Sequence, residues 1–114
     1  MRGWLTKRGQ QVKNWKKRYF KLKGNTLFYY VQKSDTQPIG MIVLRREGTT
    51  NYTVKISNMR KHCIELHSPS GRCYYLSADE EAILKPWLFF LREIIPIDPD
   101  VLAYYKPEEP APVK

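Results

Sequence analysis

Acidic residues are absent from the first 34 positions of this 114-residue chain, although it holds eleven Asp and Glu in all. Cysteine is scarce, with only Cys63 and Cys73. Their spacing matches no zinc motif. Both are expected to be reduced and partly buried, since a cross-strand disulfide would be out of place in the cytosol. Long apolar runs are missing too. The longest, WLFFL at 87–91, falls far short of the roughly 18 residues that a membrane span needs. The opening MRGWLTKRG has no signal-peptide core, which points to the cytoplasm. Met1 lies almost directly on the first apolar pattern, as in a domain cut from a longer protein. No phosphate-cradling Gly-rich Lys motif, metal-ligand cluster or Ser/His/Asp arrangement in a plausible context is present. Catalysis, a cofactor and a bound metal are therefore not expected.

What is present suits one domain. A chain of this length buries roughly two-thirds of its unfolded surface, and a hydrophobic fraction of 42% rules out a disordered chain. The net charge of +9 is unevenly placed. Residues 1–33 hold ten Lys/Arg and no acid, while residues 34–114 hold ten Lys/Arg against eleven acids, a balance of −1. So polarised a field expects a polyanion: an anionic membrane, a nucleic acid or an acidic protein.

Short β-rich runs fill the first two-thirds: GWLTK, WKKRYFKL, TLFYYV, PIGMIVL, YTVKI, HCIELHS and RCYYLS. Gly24-Asn25 and SPSG supply turns. Seven close strands predict a meander closing into a barrel or sandwich. The period then changes. Ile83, Trp87, Phe90, Leu91 and Ile94 form a helical stripe, with Asp79, Glu80 and Glu81 suited to its N-terminus. Pro86 lacks a donor, so the helix either starts late, near Leu84, or kinks; the late start is preferred. Residues 97–114 are proline-rich and read as an extended linker following a domain of residues 1–96. No internal repeat is visible.

The stretch NWKKRYFKL, 14–22, mixes four cations with three aromatics. Strand side chains alternate, so Lys16, Arg18, Phe20 and Leu22 share one face, and Phe20 and Leu22 must meet the core. If the loop 8–15 joins an antiparallel pair, Lys7, Lys16 and Arg18 converge at one open end of a barrel. Unpaired buried charge costs several kcal/mol, and no nearby acid can offset it, so an anionic ligand is the simplest account. Tyr29 reaches toward the same mouth and Lys13 sits in the loop above. The alternative is that Lys16 and Arg18 snorkel on a shallow sheet. Lys17, Lys21 and Lys23 read as solvated outer-face residues. His62 and His67 have no partner pattern and read as structural or exposed, and Tyr74, Tyr75, Tyr104 and Tyr105 read as packing residues.

With GWLTKRG, NWKKRYFKL, TLFYY, PIGMIVL and KPWLFFL in order, residues 2–95 resemble the pleckstrin-homology (PH) family. The resemblance implies a mainly β fold with one C-terminal helix: a seven-stranded barrel of two near-orthogonal antiparallel sheets, with one end capped by the helix and the other carrying membrane-facing loops. The basic signature is similar to that of members binding 3-phosphorylated inositol lipids. In that likeness Lys7, Lys16, Arg18 and Tyr29 are ligand-binding, and Lys13 matches a loop residue that approaches phosphate. The sequence departs from the tightest trisphosphate binders at Ile39, where they carry a basic residue, and in the short turn between strands six and seven.

The leading expectation is a non-enzymatic module of signal transduction. It would be a cytoplasmic, peripheral and monomeric domain, recruited to the inner face of the plasma membrane or to endosomal membranes. Its partner would be phosphatidylinositol 3,4,5-trisphosphate or 3,4-bisphosphate in the cytosolic leaflet. Val12, at the loop tip, is the candidate membrane contact; its alternative role is to shape the loop. A protein-interaction domain with nonspecific anionic-membrane attraction is the second reading, because fold alone does not settle function. Nucleic-acid binding fits the basic and aromatic mixture only loosely, since inward-pointing Lys16 and Arg18 make a pocket and not a stacking platform.

Overall fold

The computed structural model describes residues 1–9, 13–49 and 51–111. Its strands are β1 (Arg2–Arg8), β2 (Trp15–Lys23), β3 (Thr26–Tyr30), β4 (Gly40–Val43), β5 (Thr53–Ser57), β6 (Cys63–His67) and β7 (Cys73–Ser77). Two helices follow, α1 (Glu81–Arg92) and α2 (Pro99–Tyr104). Each strand falls within a predicted run or extends it by a residue at one end, or in β1 at both. β-Branched and aromatic residues, with largely alternating polar and apolar side chains, favour extended strands here. At the β2–β3 hairpin Gly24 has φ +58°, a backbone that glycine adopts without steric cost.

All strands pair antiparallel in the order β4-β3-β2-β1-β7-β6-β5. The expected architecture is present, and its two halves belong to one continuous sheet. They join at two register pairs, Thr6 with Ser77 and Lys7 with Leu76. β4 and β5 are both edges of that sheet, so the barrel is open along one seam. The sheet still encloses one core. Phe20, Leu27 and Ile42 from one half meet Val54, Ile64, Leu66 and Leu76 from the other, under Leu84, Trp87, Leu88 and Leu91 of α1.

The helix differs from expectation. It begins at Glu81, not near Leu84, and Pro86 lies inside it. A proline within a helix costs about 3 kcal/mol. Burying Leu84, Trp87, Leu88 and Leu91, at roughly 1.5–3 kcal/mol each, outweighs that. The buried stripe is therefore shifted from the predicted one: Leu84 and Leu88 face the core, while Ile83 is 37% exposed. Asp79 does not cap the helix but pairs with Lys17 at 2.6 Å. Glu80 occupies the N-cap position without a side-chain capping bond.

The extended reading of 97–114 is corrected over residues 97–105. Val54 on edge strand β5 donates its N–H to the Pro96 carbonyl at 2.9 Å, and its own carbonyl accepts from the Asp98 N–H at 2.9 Å. This backbone pairing covers part of an otherwise open edge. α2 then buries Val101 and, just beyond it, Tyr105 in the core. Tyr74 is buried too, but Tyr104 is 68% exposed and packs only edge-on against Tyr105, at 4.7 Å between ring centres. The cysteines sit at opposite ends of the β6–β7 ladder, where Cys63 pairs with Ser77 and Cys73 with His67. Four residues of strand separate their rungs by roughly 13 Å, beyond disulfide reach. Among the described residues no helix is long and apolar enough to cross a membrane.

Candidate functional site

The antiparallel register of β1 and β2 sets Lys7 opposite Lys16 and Leu5 opposite Arg18. The inner row of β2 thus changes from apolar to basic within one period: Phe20 is fully buried, Arg18 is half-buried and Lys16 is exposed. On the next strand Tyr29 lies opposite Phe20, their rings 5.5 Å apart, and on the far side opposite Gly40. Gly40 is required there, since any Cβ would collide with the Tyr29 phenol.

These residues line one cleft of about 130 Å³, walled by Lys7, Gly9, Lys16, Arg18, Tyr29 and Ile39. Four of the five predicted ligand-binding residues therefore meet. The fifth, Lys13, is exposed and is not part of that wall. Val12 lies outside the described residues.

Lys7 is the innermost cation. Its Nζ stands 5.1 Å from the Tyr29 ring centre and 5.4 Å from that of Tyr74. Burial lowers its pKa from the ordinary 10.5, and the neighbouring Arg18 and Arg72 charges lower it further. Two aromatic faces compensate in part, since a cation–π contact is worth about 0.5–2 kcal/mol. Arg18 Nη1 donates to the Lys17 carbonyl at 2.9 Å. Among the described residues no acidic group pairs with Lys7, Lys16 or Arg18. Lys17 points the other way and, contrary to a purely solvated reading, is paired with Asp79.

Arg72 was missed in the sequence. It stands at the base of the β6–β7 turn with its guanidinium carbon 5.6 Å from the Tyr74 ring centre, so Lys7 and Arg72 flank the same tyrosine. The signal was available, because Arg72, Tyr74 and Leu76 share a face by alternation. Arg72 and Arg46 also line a second cleft of about 330 Å³ along the open seam, with Asn51 and Thr49. The mouth can thus place several cationic and hydroxyl donors around a multiply charged anion. Among the described residues it has no paired acid and base for proton transfer.

Comparison with known proteins agrees with this architecture. The PH domain model matches residues 1–96. An ankyrin repeat, PH and SEC7 domain containing protein of Dictyostelium discoideum is 45% identical over 67 residues, 59% of this chain and 6% of its own length. A RAC family serine/threonine-protein kinase homolog from the same organism is 38% identical over 91 residues, 78% of this chain and 19% of its own. The chain thus spans a small fraction of these relatives. Among solved structures, the C-terminal PH domain of pleckstrin in complex with D-myo-Ins(1,2,3,4,5)P5 superposes with a TM-score of 0.67 at 27% identity, covering 83% of this chain and 96% of that one. The PH domain of human KIAA0053 gives 0.65 at 31% identity, covering 82% and 86%. The chain belongs to the PH domain family, whose members are generally non-catalytic modules that bind phosphoinositides or proteins.

Proposed function

We propose that this domain recruits its parent protein to cytosolic membrane surfaces by gripping a phosphoinositide headgroup phosphorylated at the 3-position, the trisphosphate or the 3,4-bisphosphate. The observation that carries this is the meeting of Lys7, Lys16, Arg18 and Tyr29 around one cleft without an acidic partner. Charge-assisted bonds to phosphate contribute roughly 1.5–3 kcal/mol each, and surrounding cations add about 1 kcal/mol apiece near an anionic leaflet. Lys13 would add charge, and Val12, outside the described residues, would be the membrane contact. Arg72 adds a cation from the opposite side. A relative of the same fold is described in complex with an inositol pentakisphosphate, which supports the ligand class.

The test is headgroup competition by calorimetry at low and high salt, with two variants of equal charge change. Arg18→Ala should abolish isomer preference. Lys17→Ala, whose side chain faces Asp79, should keep it. At 0.5 M salt the screening length is roughly 4 Å, so cleft contacts should outlast peripheral ones and the ranking among isomers should survive. Equal affinity for all bisphosphates, collapsing together with salt, would leave only a nonspecific membrane binder.

A second reading, protein binding, is favoured by one feature. A groove of about 790 Å³ beside α2 is lined by Arg60, Lys61, Glu81 and the exposed Tyr104 among others. Partner capture that persists in Arg18→Ala and is lost in Tyr104→Ala would support it.

A further inference from the structure

The sequence shows no metal-ligand spacing, yet the β6–β7 pairing assembles one. Glu65 and His67 lie two apart on β6 and so share a face. Cys73 is the cross-strand partner of His67. One ligand atom from each of the three falls within 4.8 Å of the others. His67 Nε2 is 2.7 Å from Glu65 Oε1 and 3.6 Å from Cys73 Sγ. Because Tyr74 and Leu76 of β7 face the core, Cys73 belongs to the outer face, across the sheet from the headgroup cleft.

We propose that Glu65, His67 and Cys73 bind one Zn²⁺ ion, each through one atom, with the fourth position open to water or an outside donor. Zinc takes sulfur at about 2.3 Å and nitrogen or oxygen at about 2.0–2.1 Å in a tetrahedron. Those bond lengths require S···N and N···O edges of roughly 3.6 and 3.3 Å. The first edge is already in place. The second opens by about 0.6 Å once the proton between His67 and Glu65 is replaced by the metal, and the third, S···O, now within 4.8 Å, closes toward roughly 3.6 Å, changes that side-chain rotation absorbs. On binding, the Cys73 thiol gives its proton to water, and the His67 imidazole carries its own on Nδ1. Nitrogen, sulfur and carboxylate donors together suit zinc and not the all-oxygen preference of calcium or magnesium.

The position fits an open site. The His67 side chain is 37% exposed and that of Glu65 19%, so an ion can enter without unfolding. Tyr75, beside Cys73 on the outer face, bonds its sulfur and forms part of the outer shell that orients ligands. A nucleophilic thiol is the weaker alternative: burial raises the Cys73 pKa, Glu65 adds to the rise, and only the Tyr75 bond opposes it. Lys55, opposite Glu65 in the β5–β6 register, is exposed and leaves the carboxylate available to the ion. Such a site clamps the base of the turn that carries Arg72.

The test titrates Co²⁺, as a spectroscopic stand-in for Zn²⁺, into the reduced, untagged 114-residue chain. One equivalent should produce tetrahedral visible bands with a thiolate-to-cobalt charge-transfer band, and Zn²⁺ should displace them. Cys73→Ser should lose the charge-transfer band, whereas Cys63→Ser should keep it. His67→Ala and Glu65→Gln should each weaken binding by at least about 10-fold, and circular dichroism with an unchanged unfolding transition in the absence of metal confirms that each variant is folded. A charge-transfer band that is absent, that persists in Cys73→Ser, or that binds as tightly in His67→Ala overturns the proposal.

Discussion

Gly40→Ala tests the cleft through one atom. The new Cβ cannot coexist with the Tyr29 phenol, so the ring must swing away. It then loses its packing on Phe20 at 5.5 Å, worth about 0.5–1.5 kcal/mol. It also loses the Lys7 ammonium at 5.1 Å, worth about 0.5–2 kcal/mol. Together these give a destabilisation of about 1–3.5 kcal/mol, or a melting temperature lowered by about 4–14 °C in a domain of this size. Headgroup affinity should fall by about 2- to 10-fold, the equivalent of one hydrogen bond from the displaced hydroxyl. The assay is a double-mutant cycle by thermal and denaturant unfolding. In a Tyr29→Ala background the three phenol atoms that a Cβ would meet are gone, and Gly40→Ala should change stability by less than about 0.5 kcal/mol. Equal cost in both backgrounds would show that Gly40 is needed for its own backbone and not for the tyrosine.

Three further outcomes follow from the packing and the charge. Trp87→Ala should cost about 3–5 kcal/mol, since the side chain is 2% exposed. Trp87→Phe should cost distinctly less, as denaturant midpoints would show, because it keeps a buried aromatic ring and leaves a smaller cavity, while giving up only an indole N–H with no partner among the described residues. Removing residues 97–114 should destabilise the domain by at least about 2 kcal/mol, through loss of the buried Val101 and Tyr105 side chains; an unchanged melting temperature would return that segment to the status of a linker. As pH rises, two responses should diverge. The cost of holding Lys7 charged is fully present below its lowered folded pKa and is relieved between that value and 10.5, so its contribution to stability rises with pH. Headgroup affinity should fall over the same window as Lys7 loses its charge. Calorimetry should show this alkaline loss in the native chain and a smaller one in Lys7→Met.

Strand positions and the inner row of Lys16, Arg18 and Phe20 were legible in the sequence, because a period of two is a local property of the backbone. Tyr29 and Lys7 followed from the same alternation once adjacent strands were taken as antiparallel. Their meeting with Arg72 was not legible: the β6–β7 turn is more than 50 residues from β1 in sequence and comes beside it only through the two-pair junction that joins the halves of the sheet. The helix start escaped for a related reason. Pro86 argued locally against a helix around it, and burial of Leu84 beside Trp87, Leu88 and Leu91 overruled that preference. Residues 97–105 carry the composition of a linker, yet an open β5 edge and space for Val101 draw them into the fold. Glu65, His67 and Cys73 show the same division. Spacing along the chain places Glu65 and His67 on one face, but only the register between β6 and β7 decides that a thiol stands opposite the imidazole. Local periodicity determines which way a side chain points, while pairing between distant strands, which costs chain entropy and is repaid by burial, decides what it meets.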